Sequence, residues 1–134
     1  MSAAGRSCLW GCSMGDLSDN FSRSEFACRC GCGRDTVDME LLTLCEVVRY
    51  IESGPVIVTS GHRCRAHNKR VGGAQPMGAN PGSQHLYGRA ADLIVSSPPE
   101  VYAYLCRRFP DRYGFGLYDR WVHVDSRSGP PARW

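Results

Sequence analysis

Residues 83–92 read SQHLYGRAAD, and they join a histidine-bearing loop to an apolar strand. The residues before them, AQPMGANPG at 74–82, are turn formers throughout and predict a surface loop. Gly88 can adopt a positive φ, which lets the chain turn between His85 and the strand. The run at 90–95 is apolar on either side of Asp92 and predicts a strand. The segment therefore predicts a loop that carries His85, a turn at Gly88 and a strand that carries Asp92.

A second histidine lies in an alternating segment, WVHVD at 121–125, which predicts another strand. Side chains two residues apart in a strand share a face, so Trp121, His123 and Asp125 should point to the same side. If His123 binds a metal ion, Asp125 is expected to lie near that ion.

The chain contains four histidines, so each can be weighed: His62, His67, His85 and His123. Two histidines with one carboxylate are a common ligand set for hydrolytic zinc, which keeps a further position open for water. His85 and His123 offer that set together with Asp92. Spacing alone also fits a solvated loop histidine and a hydrogen-bonded strand histidine. Local hydrogen bonding or solvation is the expectation for His62 and His67.

Working outward, the apolar spacing predicts an α+β domain. Asp38 is a plausible N-cap for a helix that continues to about Gly54, and 56–60 is a short buried strand. A short helix at 65–71, a helix from Pro98 to Phe109 and two strands at 114–118 and 121–125 complete the prediction, with a polar coil at 126–134. The pattern favours a small antiparallel sheet with helices packed on one face.

Length and charge restrict the class of protein. The chain has 134 residues and a net charge of +3, with 43% hydrophobic residues. One domain at 21–134, preceded by a flexible arm at 1–20, is the expected organisation. No apolar run is long enough for a membrane span or a secretory signal, and scattered arginines give no nucleic-acid footprint. We expect a monomer.

The sequence of residues 83–92 resembles the S-x-H-x-x-G-x-A-x-D motif of the D-Ala-D-Ala carboxypeptidase-like zinc peptidases. SGHR at 60–63 resembles the S-G-x-R segment that precedes this motif, and WVHVD at 121–125 resembles the strand that supplies the last ligand. Further agreement extends the resemblance over residues 20–134, at FSRSEF (21–26), CRCGCG (28–33) and VGG (71–73). The family's fold is shared with the hedgehog signalling domain.

The resemblance implies a site and an activity. His85, Asp92 and His123 would bind Zn²⁺, and the protein would hydrolyse a peptide bond in peptidoglycan stem peptides. Both carboxypeptidase and endopeptidase activities occur in such bacterial and phage enzymes, so the expected site of action is the cell wall or periplasm. Arg63 would bind the substrate carbonyl or carboxylate, with a structural surface arginine as the alternative.

The general base departs from the family pattern. Better-known members carry an acidic residue three positions before the last histidine, where this chain has Arg120. Asp125 is the first candidate for deprotonating the zinc-bound water, and Asp119 is the second. An equal alternative is that Asp125 orients His123 instead. Ser83 and Trp121 are candidate substrate-binding residues, although a hydroxyl at 83 could simply cap the loop.

Eight cysteines need their own explanation. An extended segment would place Cys28, Cys30 and Cys32 on one face, and Cys64 could then complete a site of four thiolates for structural zinc. Disulfides and free thiols are the alternatives. Helical spacing predicts that Cys45 and Cys106 are buried, whereas Cys8 and Cys12 have no assignable role.

Two further functions stay open. A non-catalytic, zinc-stabilised module that binds the cell wall or a protein is one, and the missing acidic residue at position 120 favours it. A redox or thiol-metal protein is the other, but the sequence contains no C-x-x-C pair.

Overall fold

The computed structural model describes residues 15–134; Cys8, Cys12 and the rest of 1–14 lie outside the described residues. Three α-helices and five strands make up the fold: α1 (Met39–Glu52), β1 (Ile57–Ser60), α2 (Arg65–Arg70), β2 (Ala90–Ile94), α3 (Pro98–Arg108), β3 (Gly114–Leu117), β4 (Trp121–Asp125) and β5 (Ala132–Arg133). Two 3₁₀ turns accompany them, at Arg23–Phe26 and Gln84–Tyr87. Within this part of the chain, no helix combines the length and apolarity needed to cross a membrane.

The strands form one sheet in the order β1-β2-β4-β3-β5. All neighbours are antiparallel except β3 and β5. The predicted α+β class, with helices on a small sheet, is confirmed. The prediction of a coil for the whole tail is wrong at β5, where Ala132 N–H donates to Tyr113 O at 3.0 Å and Trp134 N–H donates to Phe115 O at 3.1 Å. This strand is stabilised by the edge of β3 rather than by an apolar pattern of its own.

One face of the sheet is covered by α1 and α3. Asp38 caps α1 as predicted, since its carboxylate accepts a hydrogen bond from Leu41 N–H at 3.3 Å. The core between helices and sheet is apolar; it includes Leu44, Cys45 and Val48 of α1, Val101 and Leu105 of α3, and Leu93, Phe115, Val122 and Val124 of the sheet. Burial of this surface provides most of the driving force for folding.

Polar side chains collect on the opposite face, because alternate residues of β4 point there. Asp92 of β2 pairs with His123 of β4 on one side and with Ser60 of β1 on the other. Directly opposed residues of antiparallel strands have Cβ atoms about 5 Å apart. The register therefore brings the strand carboxylate beside the strand histidine.

The described part of the predicted arm is bonded to α1. Ser18 Oγ donates to Glu46 Oε2 at 2.5 Å. Asn20 donates to the same carboxylate from its backbone N–H at 3.1 Å and from its side-chain amide at 2.7 Å. A buried Phe21 follows and joins the core.

Candidate metal centre and cleft

Two histidines and one aspartate meet on the polar face of the sheet. Asp92 Oδ1 lies 3.0 Å from His123 Nδ1 and 3.5 Å from His85 Nε2. One ligand atom from each of the three residues lies within 4.8 Å of the others. The group could hold a metal ion.

His85 is oriented by the 3₁₀ turn that carries it. Ser83 Oγ caps this turn by accepting a hydrogen bond from His85 N–H at 3.2 Å. The ring donates from Nδ1 to Gly61 O at 2.7 Å, so Nε2 is the nitrogen that faces Asp92. Burial lowers the pKa of His85 despite the nearby carboxylate, which favours the neutral ring that a metal ligand requires.

The ring of His123 is held at Nε2, whereas that of His85 is held at Nδ1. Its Nε2 donates to Asp125 Oδ2 at 2.7 Å, so Nδ1 is the nitrogen that faces Asp92. Asp125 is fully buried, and Arg127 donates to its two oxygens at 2.8 and 2.7 Å. The carboxylate of Asp125 is thus shared between a histidine and an arginine.

Both carboxylates are ionised at neutral pH. Burial alone would raise the pKa of Asp92, but its close contacts with the His123 and His85 rings outweigh burial and lower it well below its usual range. Burial likewise opposes ionisation of Asp125, and its hydrogen bonds with Arg127 and His123 lower that pKa. These hydrogen bonds and the charge of Arg127 compensate for the loss of solvation around the carboxylates.

Arg63 enters the same site from the segment after β1. Its guanidinium donates to Ser60 Oγ at 3.0 Å, to Asn68 Oδ1 at 3.1 Å and to Asp92 Oδ2 at 3.4 Å. Burial lowers its pKa, while the charge of Asp92 opposes that shift. The side chain is held in place by these bonds and is only 15% exposed.

An open cleft of about 480 Å³ lies above the group. Its lining includes the predicted Arg63, Ser83 and Trp121. Tyr118 stacks on Trp121 with ring centroids 4.7 Å apart, and Trp134 Nε1 donates to the Tyr118 hydroxyl at 2.8 Å. The cleft therefore has an aromatic wall beside the histidines and Asp92.

Other predicted residues lie away from the cleft lining. Asp119 is exposed at the turn between β3 and β4 and does not line the cleft. Asp125 lies beneath it, behind the ring of His123. His62 Nδ1 accepts a hydrogen bond from Thr36 N–H at 3.0 Å, and His67 contacts Arg70. These two histidines are bonded locally.

Sequence reasoning missed three contributors to the site. Arg127 clamps Asp125, Trp134 lines the cleft, and the Gly61 carbonyl orients His85. The position of Arg127 two residues after Asp125 could have indicated the first of these contacts. No local pattern marks Trp134, since β5 brings it to the cleft through long-range pairing.

The four cysteines at 28, 30, 32 and 64 also meet, with their Sγ atoms all within 4.8 Å of one another. Residues 28–33 form turns rather than a strand, so the argument from one face of an extended segment does not apply to them. No disulfide joins cysteines within residues 15–134. Of the other two described cysteines, Cys45 is buried as predicted and Cys106 is half-buried.

Comparison with protein families gives one match over most of the chain: the model described as Peptidase M15 matches residues 19–125. The matched region includes the loop histidine, Asp92 and His123. Comparison with curated proteins finds no match.

Proposed function

Because the chain belongs to the Peptidase M15 family, we propose that it is a zinc-dependent peptidase that hydrolyses a peptide bond in peptidoglycan stem peptides. One observation carries the proposal. His85, Asp92 and His123 bring their ligand atoms within 4.8 Å of one another at an open cleft. They are also the residues that the resemblance to the family motif implies as metal ligands.

The bonding around each ligand fits a metal ion. Hydrogen bonds from His85 Nδ1 to Gly61 O and from His123 Nε2 to Asp125 leave the other nitrogen of each ring facing Asp92, where it could bind a metal ion once it carries no proton. Such outer hydrogen bonds commonly fix the tautomer and orientation of metal-binding histidines. Zinc, when bound there, would supply a Lewis acid that polarises the scissile carbonyl and lowers the pKa of a water molecule.

Arg63 is the residue that we assign to the substrate. Its guanidinium lines the cleft and is fixed by Ser60 and Asn68. A guanidinium held in this way can bind a substrate carboxylate or stabilise the negative charge that develops on the attacked carbonyl oxygen. Because its bonds are already made, little reorganisation is needed when charge develops.

The rest of the cleft suits a small peptide that carries a carboxylate. Among the described residues, Arg63 and Arg127 line it, and Asp92 is the one lining residue with a carboxylate side chain. Trp121 and Tyr118 add apolar surface for short side chains such as that of alanine. Stem peptides combine small side chains with free carboxylates, and cleavage at either their end or their interior fits this lining. The expected site of action is the cell wall or periplasm.

Asp125 we assign to positioning rather than to proton transfer. Its oxygens are engaged by His123 and Arg127, and it approaches the ring edge that faces away from Asp92. A carboxylate there keeps the His123 ring in the tautomer that presents Nδ1 to the metal. Asp119, the other candidate base, is exposed outside the cleft lining.

A second candidate function is a non-catalytic, zinc-stabilised module that binds cell wall or protein. The observation that favours it is the cleft lining described above, in which Asp92 is the one carboxylate side chain within residues 15–134. A bound metal that ligates Asp92 would leave the lining without a free carboxylate to accept a proton. This module would hold zinc and bind stem peptides without cleaving them.

The test is mass spectrometry of purified muropeptides after incubation with zinc-loaded protein, with a chelated sample beside it. We expect fragments only in the zinc-loaded sample, and their masses identify the bond that is cut. His85→Ala should abolish both cleavage and zinc binding in the cleft, since it removes one of the three protein ligands.

His67→Ala is the matched control, because it removes a histidine that lies outside the cleft lining. We expect that variant to cleave like the wild type. Full activity in His85→Ala would refute the assigned site. Stem-peptide binding without any cleavage, in protein shown to hold zinc, would favour the binding module.

A further inference from the structure

We propose that Cys28, Cys30, Cys32 and Cys64 bind a second metal ion, a structural zinc held by four thiolates away from the cleft. Cys28 Sγ lies 3.4 Å from Cys30 Sγ, and Cys30 Sγ lies 3.6 Å from Cys64 Sγ. A zinc–sulfur bond of about 2.3 Å places neighbouring sulfurs of a tetrahedron about 3.8 Å apart. The observed separations are close to that edge, although no two of these sulfurs are bonded to each other.

The shape of the 28–34 loop explains how closely spaced cysteines converge. Cys28 N–H donates to Arg34 O at 2.8 Å, and Gly31 N–H donates to Cys28 O at 3.1 Å. Gly31 and Gly33 have backbone φ angles of +83° and +92°, which residues with a side chain rarely adopt. These two glycines, on either side of Cys32, therefore let the chain fold back on itself and bring its thiols together.

The fourth thiol is brought in by close contact between two backbone segments. His62 N–H donates to Phe26 O at 2.8 Å, and a Cβ at Gly61 would lie 2.6 Å from the Cα of Phe26. Cys64 N–H then points at Cys28 Sγ, at 3.4 Å. Cys64 Sγ in turn accepts from His67 N–H at 3.4 Å. Backbone N–H donors stabilise negative charge on sulfur, as thiolate ligands require.

Charge around the cluster also suits this site. Four thiols that lose their protons to solvent when they bind Zn²⁺ form a group with a net charge of about −2. Arg34, Arg63 and Arg65 line a neighbouring cavity together with Cys64. These arginines would balance the negative group without entering its coordination.

The proposed zinc would also act on the cleft through the chain. Cys64 directly follows Arg63, whose guanidinium reaches Asp92. Fixing Cys64 to the 28–34 loop fixes the backbone from which that guanidinium extends. The second metal is therefore expected to position Arg63 rather than to take part in chemistry.

Cobalt substitution tests the proposal without any need for peptidase activity. Reduced, metal-free protein would be titrated with Co²⁺, and thiolate-to-cobalt charge-transfer absorption with strong tetrahedral visible bands is expected. Cys30→Ser and Cys32→Ser should weaken or abolish these bands, and both positions are exposed, so the substitutions leave the core intact. His85→Ala should keep the bands, which separates this site from the cleft.

Cys106→Ser and a Cys8→Ser/Cys12→Ser double variant are the controls, and both should retain the wild-type bands. If a variant fails to fold, a measurement on the wild type replaces it: in the zinc-loaded protein, Cys28, Cys30, Cys32 and Cys64 should resist a thiol reagent until a chelator is added, as peptide mapping of the labelled cysteines would show. Absence of the bands, their loss in His85→Ala alone, or disulfides among the four cysteines in protein purified without reductant would overturn the proposal.

Discussion

An aspartate at position 125 is compatible with two roles, that of a general base and that of a group that orients His123. A carboxylate on the same strand face as His123 could accept a proton from water or orient the ring. The structure has it fully buried and bonded to His123 Nε2 and Arg127. A base must reach the attacking water, whereas an orienting group must reach the ligand's outer nitrogen. This bonding pattern supports the orienting role that we propose for Asp125.

Asp125→Asn is therefore expected to act mainly on metal affinity. The amide is similar in shape but carries no charge and accepts at only one end, so zinc affinity should fall about 10–100-fold. Excess zinc should restore most of the turnover. Zinc affinity from competition with a chromogenic chelator and kcat at saturating zinc are the two measurements. Unchanged affinity with lost kcat would instead identify Asp125 as the base, and Asp119→Asn serves as the exposed control.

Gly61 has a steric role that its place in the SGHR segment did not reveal. A Cβ there would lie 2.6 Å from the Cα and O atoms of Phe26, which belongs to the core. Gly61→Ala should thus destabilise the fold by about 1–3 kcal/mol, the usual cost of overpacking. Gly54→Ala, where the nearest atom is 3.9 Å away, is the matched control and should be nearly neutral. Urea unfolding measures both, and equal stabilities would contradict this reading.

For the secondary-structure elements, local sequence patterns such as caps and periodicity predicted the structure, whereas features that depend on long-range pairing were not predicted. The Asp38 cap and apolar stripe gave α1, and alternation gave β4 with His123 and Asp125 on one face. The sequence indicated a cluster of four cysteines as one alternative, on the condition of an extended segment, but the thiols converge through turns at Gly31 and Gly33 instead. The tail strand β5 has two residues and depends on pairing with β3, which no local pattern encodes.

Helix α1 also holds the segment that precedes Phe21, because its residue Glu46 is hydrogen-bonded to Ser18 and Asn20. Burial would raise the pKa of this carboxyl, but hydrogen bonds from Ser18 and Asn20 lower it below its ordinary 4.5. A lowered folded pKa contributes stability above the unfolded pKa, and this contribution is lost as pH falls through the folded value.

Glu46→Gln should accordingly lower the free energy of unfolding by about 1 kcal/mol at neutral pH, after allowance for partial exposure. The difference from wild type should shrink below about pH 4 as the wild-type carboxyl is protonated. Thermal or urea unfolding of both proteins from about pH 3 to about pH 7, a range that includes the titration of a carboxyl, measures this difference in stability. Glu100→Gln, at an exposed position on α3, is the control. A stability difference between Glu46→Gln and wild type that grows as the pH falls would contradict this prediction.

Across the whole molecule, the sheet divides structural and chemical tasks between its two faces. Helices α1 and α3 cover one face and complete the core. The other face carries His85 from a 3₁₀ turn, Asp92 from β2 and His123 from β4. A metal ion bound to these three residues would link segments that are distant in sequence, so zinc binding and folding stability should be coupled.

Zinc should therefore raise the melting temperature. A ligand that binds only the folded state at about 1,000 times its Kd adds about 4 kcal/mol, which for a domain of this size is on the order of 10 °C. Calorimetry of chelated and zinc-titrated protein measures the shift. His85→Ala should lose the part of the shift that arises in the cleft and keep the part that arises at the four thiols, whereas Cys32→Ser should show the reverse. The full shift in His85→Ala would mean that the cleft histidines do not hold zinc, since a lost ligand must weaken a site that depends on it.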